Sequence, residues 1–303
     1  MTRLPLVLAL AAALGCGSFA STRPPASRPR PAIDDVAAAS PNRGMKAYWI
    51  GHATVLVQMA DRWIITDPNF SPRVGVFVKR RVAPGIDLDA LPEIDWVLIS
   101  HAHLDHLDHP SLRRLNESAS LAAPPGVVHY LPGHTPFREV VALSPWQAVE
   151  RDGVRITAIP VRHGDGRFGL DELYNRHAHT GYVVEHAGMT LFFAGDTAYD
   201  PVSFKQVGER FAVDLALIPV GPAGTAFGPM MRRVHVSPPE ALRILADVRA
   251  RWMIPIHHGT FFTGGARELD AIEKAIRQHP LHDRVLLLRA GESVTVEPPA
   301  SRG

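Results

Sequence analysis

Three imidazoles and one carboxylate stand within six residues in His101-Ala102-His103-Leu104-Asp105-His106. These nitrogen and oxygen donors are of the kind that hold zinc, with no sulfur required. Alternate side chains of an extended backbone share a side, so His101 and His103 can converge on one ion. Asp105 and His106 are adjacent and can turn toward a second ion. A polar surface turn accounts for two such residues but not comfortably for all four. The chain carries 16 histidines, and their placement decides the reading.

Ligands placed just past the end of a rigid strand have their geometry fixed by it. The apolar run Trp96-Val97-Leu98-Ile99-Ser100 before the motif is long enough for a buried strand. Further strands are expected at Ala47–Ile50, Thr54–Gln58, Trp63–Thr66, Val154–Pro160, Tyr182–Glu185, Thr190–Ala194, Leu215–Val220, Trp252–His257 and Val285–Arg289. Ser237-Pro238-Pro239-Glu240 is a capping box with proline at the first helical position, followed by Leu242, Leu245 and Val248. Thr135-Pro136 and Asp200-Pro201 repeat the cap-then-proline signature. Leu269, Ile272 and Ile276 mark one face of a late helix that ends before Pro280. Strands with helices scattered between them, without internal repeats, suggest two packed sheets covered by helices in one domain.

Of the 303 residues, 46% are hydrophobic and 20% charged, which is enough apolar surface to bury a core and excludes a disordered polymer. Lys+Arg of 32 against Asp+Glu of 30 leaves a net charge of +2, which argues against a nucleic-acid partner. One cysteine excludes an internal disulfide framework and any Cys-rich zinc module. That cysteine, Cys16, ends a segment of Met1-Thr2-Arg3, an apolar run from Leu4 to Leu14, and Gly15. The run is too short to span a bilayer but suits a secretory leader. Residues 1–16 resemble a bacterial lipoprotein signal with Cys16 lipidated; an ordinary signal cut near Ala20 is the alternative, and either one implies export. The expected localisation is a membrane-anchored lipoprotein of the cell envelope, or else a secreted or periplasmic protein. Residues 17–43, rich in Pro, Arg and Ser, read as an extended tether that contacts anionic headgroups or serves as a spacer. The folded domain is expected at 44–298, followed by a tail at 299–303. Val74 to Val82 places apolar residues beside Lys79-Arg80-Arg81, which suits either a lipid interface or a strand with a charged end.

His-Ala-His-Leu-Asp-His matches the HxHxDH signature, and the chain resembles the metallo-β-lactamase fold from residue 45 to 297. Val161-Arg162-His163, Phe193-Ala194-Gly195-Asp196-Thr197 and Ile256-His257-His258-Gly259-Thr260 follow as the other landmarks, in order. Trp49-Ile50-Gly51-His52-Ala53-Thr54, Thr66-Asp67-Pro68-Asn69-Phe70-Ser71, Ala83-Pro84-Gly85-Ile86 and Val234-His235-Val236-Ser237-Pro238 are similar to the N-acylphosphatidylethanolamine phospholipase D branch. Bacterial sugar-phosphate lactonases share part of that pattern. The resemblance implies an α/β fold, an αββα sandwich with a metal centre at one edge between the sheets.

It also implies two Zn²⁺ ions, other divalent transition metals being possible. His101, His103 and His163 would hold the first, Asp105, His106 and His257 the second, with Asp196 between them. Asp67 would orient a ligand imidazole, unless it is only a turn aspartate before Pro68. His235 would act near substrate, or be structural. His52 and His258 are expected as substrate contacts, with His258 a pocket wall. Two zinc ions bring four positive charges, and Asp105, Asp196 and one bridging hydroxide offset three, which favours a phosphodiester or other anionic substrate. The implied activity is phospholipase D-type phosphodiester hydrolysis on a phospholipid or small anionic substrate. A lactonase or ester hydrolase on the same centre is the alternative, and a non-catalytic metal- or ligand-binding surface lipoprotein is the alternative from another class. Two departures border the expected pocket: Gly164-Asp165-Gly166-Arg167-Phe168, and Arg176-His177-Ala178-His179-Thr180-Gly181, where the branch carries aromatics.

Overall fold

The computed structural model describes residues 44–76, 78–133, 136–167, 178–221, 233–261 and 266–300. The chain opens with β1 (Met45–Gly51), β2 (Thr54–Met59) and β3 (Arg62–Thr66), an antiparallel meander. A two-stranded ribbon, β4 (Arg73–Val74) and β5 (Val78–Lys79), intervenes. Then β6 (Trp96–Leu98), β7 (Ser120–Ala123) and β8 (Glu139–Ala142) extend the first sheet in parallel from β3. The second sheet is built from β9 (Ala148–Arg151), β10 (Val154–Ile159), β11 (Gly181–His186), β12 (Met189–Phe193), β13 (Leu215–Pro219) and β14 (Trp252–Ile256). Strand β15 (Ser293–Val296) returns to pair with β1 and closes the first sheet at seven strands.

Two short helices, α1 (His109–Leu112) and α2 (Pro125–Val128), lie on the first sheet; α3 (Pro201–Arg210), α4 (Pro238–Asp247) and α5 (Ala266–Arg277) lie on the second. The layering follows from strand alternation. Phe193 points into the core between the sheets with Leu98, Tyr182 and Leu217, while its neighbour Phe192 points outward onto Phe204 of α3 and Leu245 of α4. Both faces of β12 are thus buried, which is why Met189–Phe193 is apolar apart from Thr190. The result is the expected αββα sandwich.

The capping box at Ser237 forms, with its backbone N–H and hydroxyl both donating to Glu240 (2.8 and 2.7 Å). Asp200 caps α3 by accepting from Val202 N–H at 3.1 Å. Two expectations are corrected. After Thr135, which lies outside the described residues, Pro136 leads into β8 rather than a helix, because pairing along β7 satisfies that backbone. Val285–Arg289 is not a strand: only Leu286 N–H reaches β14, donating to Met253 O at 2.7 Å, although Leu286 and Leu288 still pack inward and Leu287 outward. Strands β7, β8, β9 and β15 carried no sequence expectation.

Candidate metal centre

Strands β1, β3 and β6 run one way in the first sheet and β10, β12 and β14 share a direction in the second, and the residues after their ends cluster at one edge of the sandwich. Just beyond those ends come His52, Asp67, His101, His163, Asp196 and His257, in that order. The loop after β6 then turns tightly, with His106 and Leu107 N–H groups both donating to His103 O, and delivers Asp105 and His106 to the same place. The turn after β12 needs glycine: Gly195 has φ +59°, and a Cβ there would stand 2.6 Å from Ser100 Cβ.

Two donor nests result. In the first, His101 Nε2 lies 2.9 Å from His103 Nδ1, and His163 Nε2 lies 3.2 Å from that same atom. In the second, Asp196 Oδ2 is 3.0 Å from His257 Nε2 and 3.3 Å from His106 Nε2, with Asp105 Oδ2 at 3.6 and 3.8 Å from those nitrogens. Asp196 also lies in a cluster with His163 and His235, so it stands between the nests.

The distal nitrogens fix what the proximal ones present. His163 Nδ1–H donates to Val234 O (2.8 Å) and His257 Nδ1–H to Gly221 O (3.0 Å). His106 Nδ1–H donates to Asp67 Oδ2 at 2.6 Å. Ser100 Oγ–H donates to the same Oδ2 at 2.5 Å and accepts from His101 Nδ1–H at 2.9 Å. Asp67 Oδ1 accepts from Ser100 N–H at 2.7 Å. One buried carboxylate therefore orients a ligand in each nest. Its neighbour Asn69 donates from Nδ2 to Asp105 O at 2.9 Å and holds the same loop. With Nδ1 protonated, a neutral ring offers Nε2 as a lone pair. The Nε2 atoms of His106 and His257 face carboxylates, and these two nitrogens and Asp196 Oδ1 are buried without hydrogen-bond partners among the described residues. Orphaned donors of this kind, all nitrogen or oxygen, fit divalent metal ions.

Electrostatics agree. Burial holds His101 and His163 well below the usual imidazole range. Burial also pulls on His257, but Asp196 and Asp105 outweigh it and push the ring up to about 9. Burial would raise Asp196, yet His257, His106 and His235 hold it well below the carboxylate range. A pair of anions ringed by basic nitrogens is a site that attracts positive charge.

The remaining candidates divide. His235, 7% exposed, is brought into the centre: its ring is 5.1 Å from His163 and 5.5 Å from His257, and its Nδ1, 3.5 Å from Asp196 Oδ2, has no hydrogen-bond partner among the described residues. Burial pushes its pKa down to about 4, so the ring is neutral. His52 is also in the centre, but 3% exposed and 3.1 Å from Asp105 Oδ2, which corrects its expected place as a substrate contact. His258 turns away: it stacks on Trp49 at 4.6 Å and its Nε2–H donates to Pro255 O at 3.2 Å. In the cation triplet, Arg80 is held by Ser71 O, Asn69 and the Phe261 ring, while Lys79, which ends β5, and Arg81 are exposed. Phe77 of that segment, Cys16, the leader and the tether lie outside the described residues.

The two departures from the branch pattern meet. Asp165 Oδ1 accepts from His179 Nδ1–H (2.7 Å) and Ala178 N–H (2.9 Å), placing a partly buried polar pair beside His163. Arg167 donates to Ala102 O and Leu107 O and fastens the same segment to the metal loop.

A family model for the β-lactamase superfamily domain matches residues 62–258. The chain belongs to that superfamily. It is 34% identical over 239 residues to an N-acyl-phosphatidylethanolamine-hydrolyzing phospholipase D of Caenorhabditis elegans, covering 73% of this chain and 65% of that protein. It is 29% identical over 283 residues to a UPF0173 metal-dependent hydrolase of Cupriavidus necator, covering 86% of this chain and 88% of that one. Among solved structures, a possible metal-dependent hydrolase from Veillonella parvula superposes with a TM-score of 0.68 at 18% identity, covering 84% of this chain and 100% of that one. The chain thus carries the superfamily's metallo-β-lactamase fold, and it spans 65% of the length of the phospholipase D relative.

Proposed function

We propose that the protein is a binuclear zinc phosphodiesterase of phospholipase D type, acting on an N-acylphosphatidylethanolamine-like or related anionic substrate. The observation that carries this reading is the pair of donor nests joined by Asp196. His101, His103 and His163 would hold one ion and Asp105, His106 and His257 the other. When bound, zinc supplies Lewis acidity toward a phosphoryl oxygen and a water that ionises near neutral pH. The chain supplies the rest. His235, neutral and adjoining both nests, offers a ring nitrogen to substrate. Asp67, through His106 and Ser100, keeps the ligand rings from rotating. The relative named as a phospholipase D supports the phosphodiester substrate class.

The polar pair Asp165–His179, at a rim expected to be aromatic, favours a second reading: a lactone or compact ester as substrate. Metal analysis with a screen of phosphodiesters, N-acylphosphatidylethanolamine and lactones separates the two. Two zinc ions per chain and phosphodiester turnover are expected, with His101→Ala and Asp196→Asn abolishing both turnover and full metal loading. Lactone turnover alone selects the second reading, and full activity after complete chelation refutes both.

Placement at a membrane is part of the proposal. Lipidated Cys16 and the tether of residues 17–43 would hold the domain near headgroups, since several acyl chains anchor firmly. No helix among the described residues is long and apolar enough to cross a membrane. Cys16→Ser should therefore release the protein from the membrane fraction; unchanged fractionation would remove the anchor.

A further inference from the structure

His52 occupies the turn between β1 and β2, at φ +56°. Its backbone is tied to the loop after β14: His52 N–H donates to Thr260 Oγ1 (2.7 Å), and His52 O accepts from His257 N–H (3.0 Å). Trp49 Nε1–H donates to the same carbonyl at 3.0 Å. Its ring is tied to the loop after β6, with Nε2 3.1 Å from Asp105 Oδ2. The ring also packs against His257, with centroids 4.0 Å apart, and edge-on to Phe261 at 5.0 Å. One residue thus fastens together two of the loops that build the second nest.

Two roles fit a histidine so placed: ligand, or holder of a ligand. The Nδ1 atoms decide between them. His101, His106, His163 and His257 each have Nδ1–H held by an acceptor, which turns Nε2 into a lone pair for metal. His52 shows no such acceptor at Nδ1 among the described residues, and the atom facing a carboxylate is its Nε2. The tautomer that satisfies this contact carries the proton on Nε2 and donates it. A ring in that tautomer has no lone pair to give a metal at that atom.

We propose that His52 is a positioning residue of the second nest, donating Nε2–H to Asp105 so that the carboxylate stays against His106 and His257. This rests on the binuclear reading above. Without the donor, the Asp105 side chain, at 13% exposure the least buried carboxylate of the centre, is free to rotate away from the nest. The loss should fall on one metal site, because no contact of His52 reaches His101, His103 or His163 among the described residues.

The test is zinc titration of the metal-stripped full-length protein against a chromogenic chelator, comparing wild type with His52→Ala and His52→Gln. Both variants meet the same positive φ, so that cost cancels between them, and glutamine can place an N–H where the imidazole Nε2 stood. His52→Ala should weaken one of two zinc sites by about 10- to 100-fold and leave the other within a few-fold. His52→Gln should recover most of that loss, and the intact first site reports that each variant is folded. Equal weakening in both variants would make His52 a ligand and overturn the positioning role. Unchanged binding of both ions in His52→Ala would overturn it as well. Wild type that takes up fewer than two ions would instead overturn the binuclear reading on which the inference stands.

Discussion

Asp67→Asn is the substitution whose consequences can be followed furthest through the structure. Asp67 is fully buried and accepts three hydrogen bonds: Ser100 N–H at Oδ1, and Ser100 Oγ–H and His106 Nδ1–H at Oδ2. An asparagine keeps the shape and tolerates the φ of +33° as well as aspartate does. It cannot keep the pattern. If its amide nitrogen replaces Oδ2, it meets two donors; if it replaces Oδ1, it meets the Ser100 N–H. Ser100 Oγ can rotate to accept from the amide, but His106 Nδ1–H still meets the amide nitrogen without an acceptor. Every arrangement leaves a buried donor unmatched, at roughly 1–3 kcal/mol. Loss of a ligand's orienting partner alone lowers metal affinity or activity about 10- to 100-fold. A hundredfold is about 2.8 kcal/mol, so the two estimates agree.

Because Asp67 acts on His106 directly and on His101 through Ser100, Asp67→Asn should weaken zinc binding at both nests, toward the hundredfold end. Ser100→Ala should weaken chiefly the site of His101. Chelator competition gives each affinity, and mass spectrometry of the metal content gives the stoichiometry. The reasoning fails if Asp67→Asn binds two ions within about threefold of wild-type affinity. The relay through Ser100 fails if Asp67→Asn weakens only one site.

Gly195→Ala should lower both melting temperature and zinc content, because its Cβ would press on Ser100 Cβ at 2.6 Å and on Thr180 O at 3.1 Å; wild-type values for both would refute the close packing. Tyr182→Phe deletes a buried hydroxyl that donates to Ile99 O at 2.8 Å across the sandwich, and should cost roughly 1–2 kcal/mol in denaturant unfolding. No measurable loss would mean that this link between the sheets is not stabilising. The metal-stripped protein should be most stable near the unfolded histidine pKa of ~6.5. Burial lowers His52 to about 3 and His235 to about 4, so the unfolded chain binds more protons and stability falls as pH drops from there. His257 is raised to about 9, so its contribution is complete below the unfolded value and is lost as pH rises toward 9. Melting curves from pH 4.5 to 9 test this, and a monotonic rise over that range would refute it.

How much could be read beforehand depended on whether the interaction was local. His101 to His106 announce themselves because four donors fall within six residues, and β6 before them is apolar on both faces. His163, Asp196 and His257 lie far apart in sequence, and only the resemblance to a family connected them. Their partners Val234 O and Gly221 O are backbone carbonyls, which any residue supplies and no motif marks. His52 was misplaced because its motif shows that it is near the centre without showing which way the ring points. Arg80 differs from its exposed neighbours Lys79 and Arg81 because the Phe261 ring and Asn69 enclose it, contacts that no local pattern marks. Strand β7, Ser120–Ala123, has weak strand propensity and forms because β6 and β8 pair with it on both sides.

The two sheets contribute unequally but jointly to each nest. The first sheet delivers His101 and His103, and the second delivers His163 to the same three-nitrogen cluster. Asp105 and His106 come from the first sheet, while Asp196 and His257 come from the second. An ion in either nest therefore joins the two layers of the sandwich at their common edge. That edge is where strands end and loops begin, so the inter-sheet core of Phe193, Leu98 and Leu217 cannot hold it alone. Hydrogen bonds do part of the work, through Tyr182 to Ile99 O and Thr180 N–H to Ser100 O. Metal binding would do the remainder, because a ligand bound only by the folded chain stabilises it by about 2.7 kcal/mol at a hundred times its dissociation constant. The arrangement that gathers the donors into nests is thus the same one that ties the open edge of the fold together.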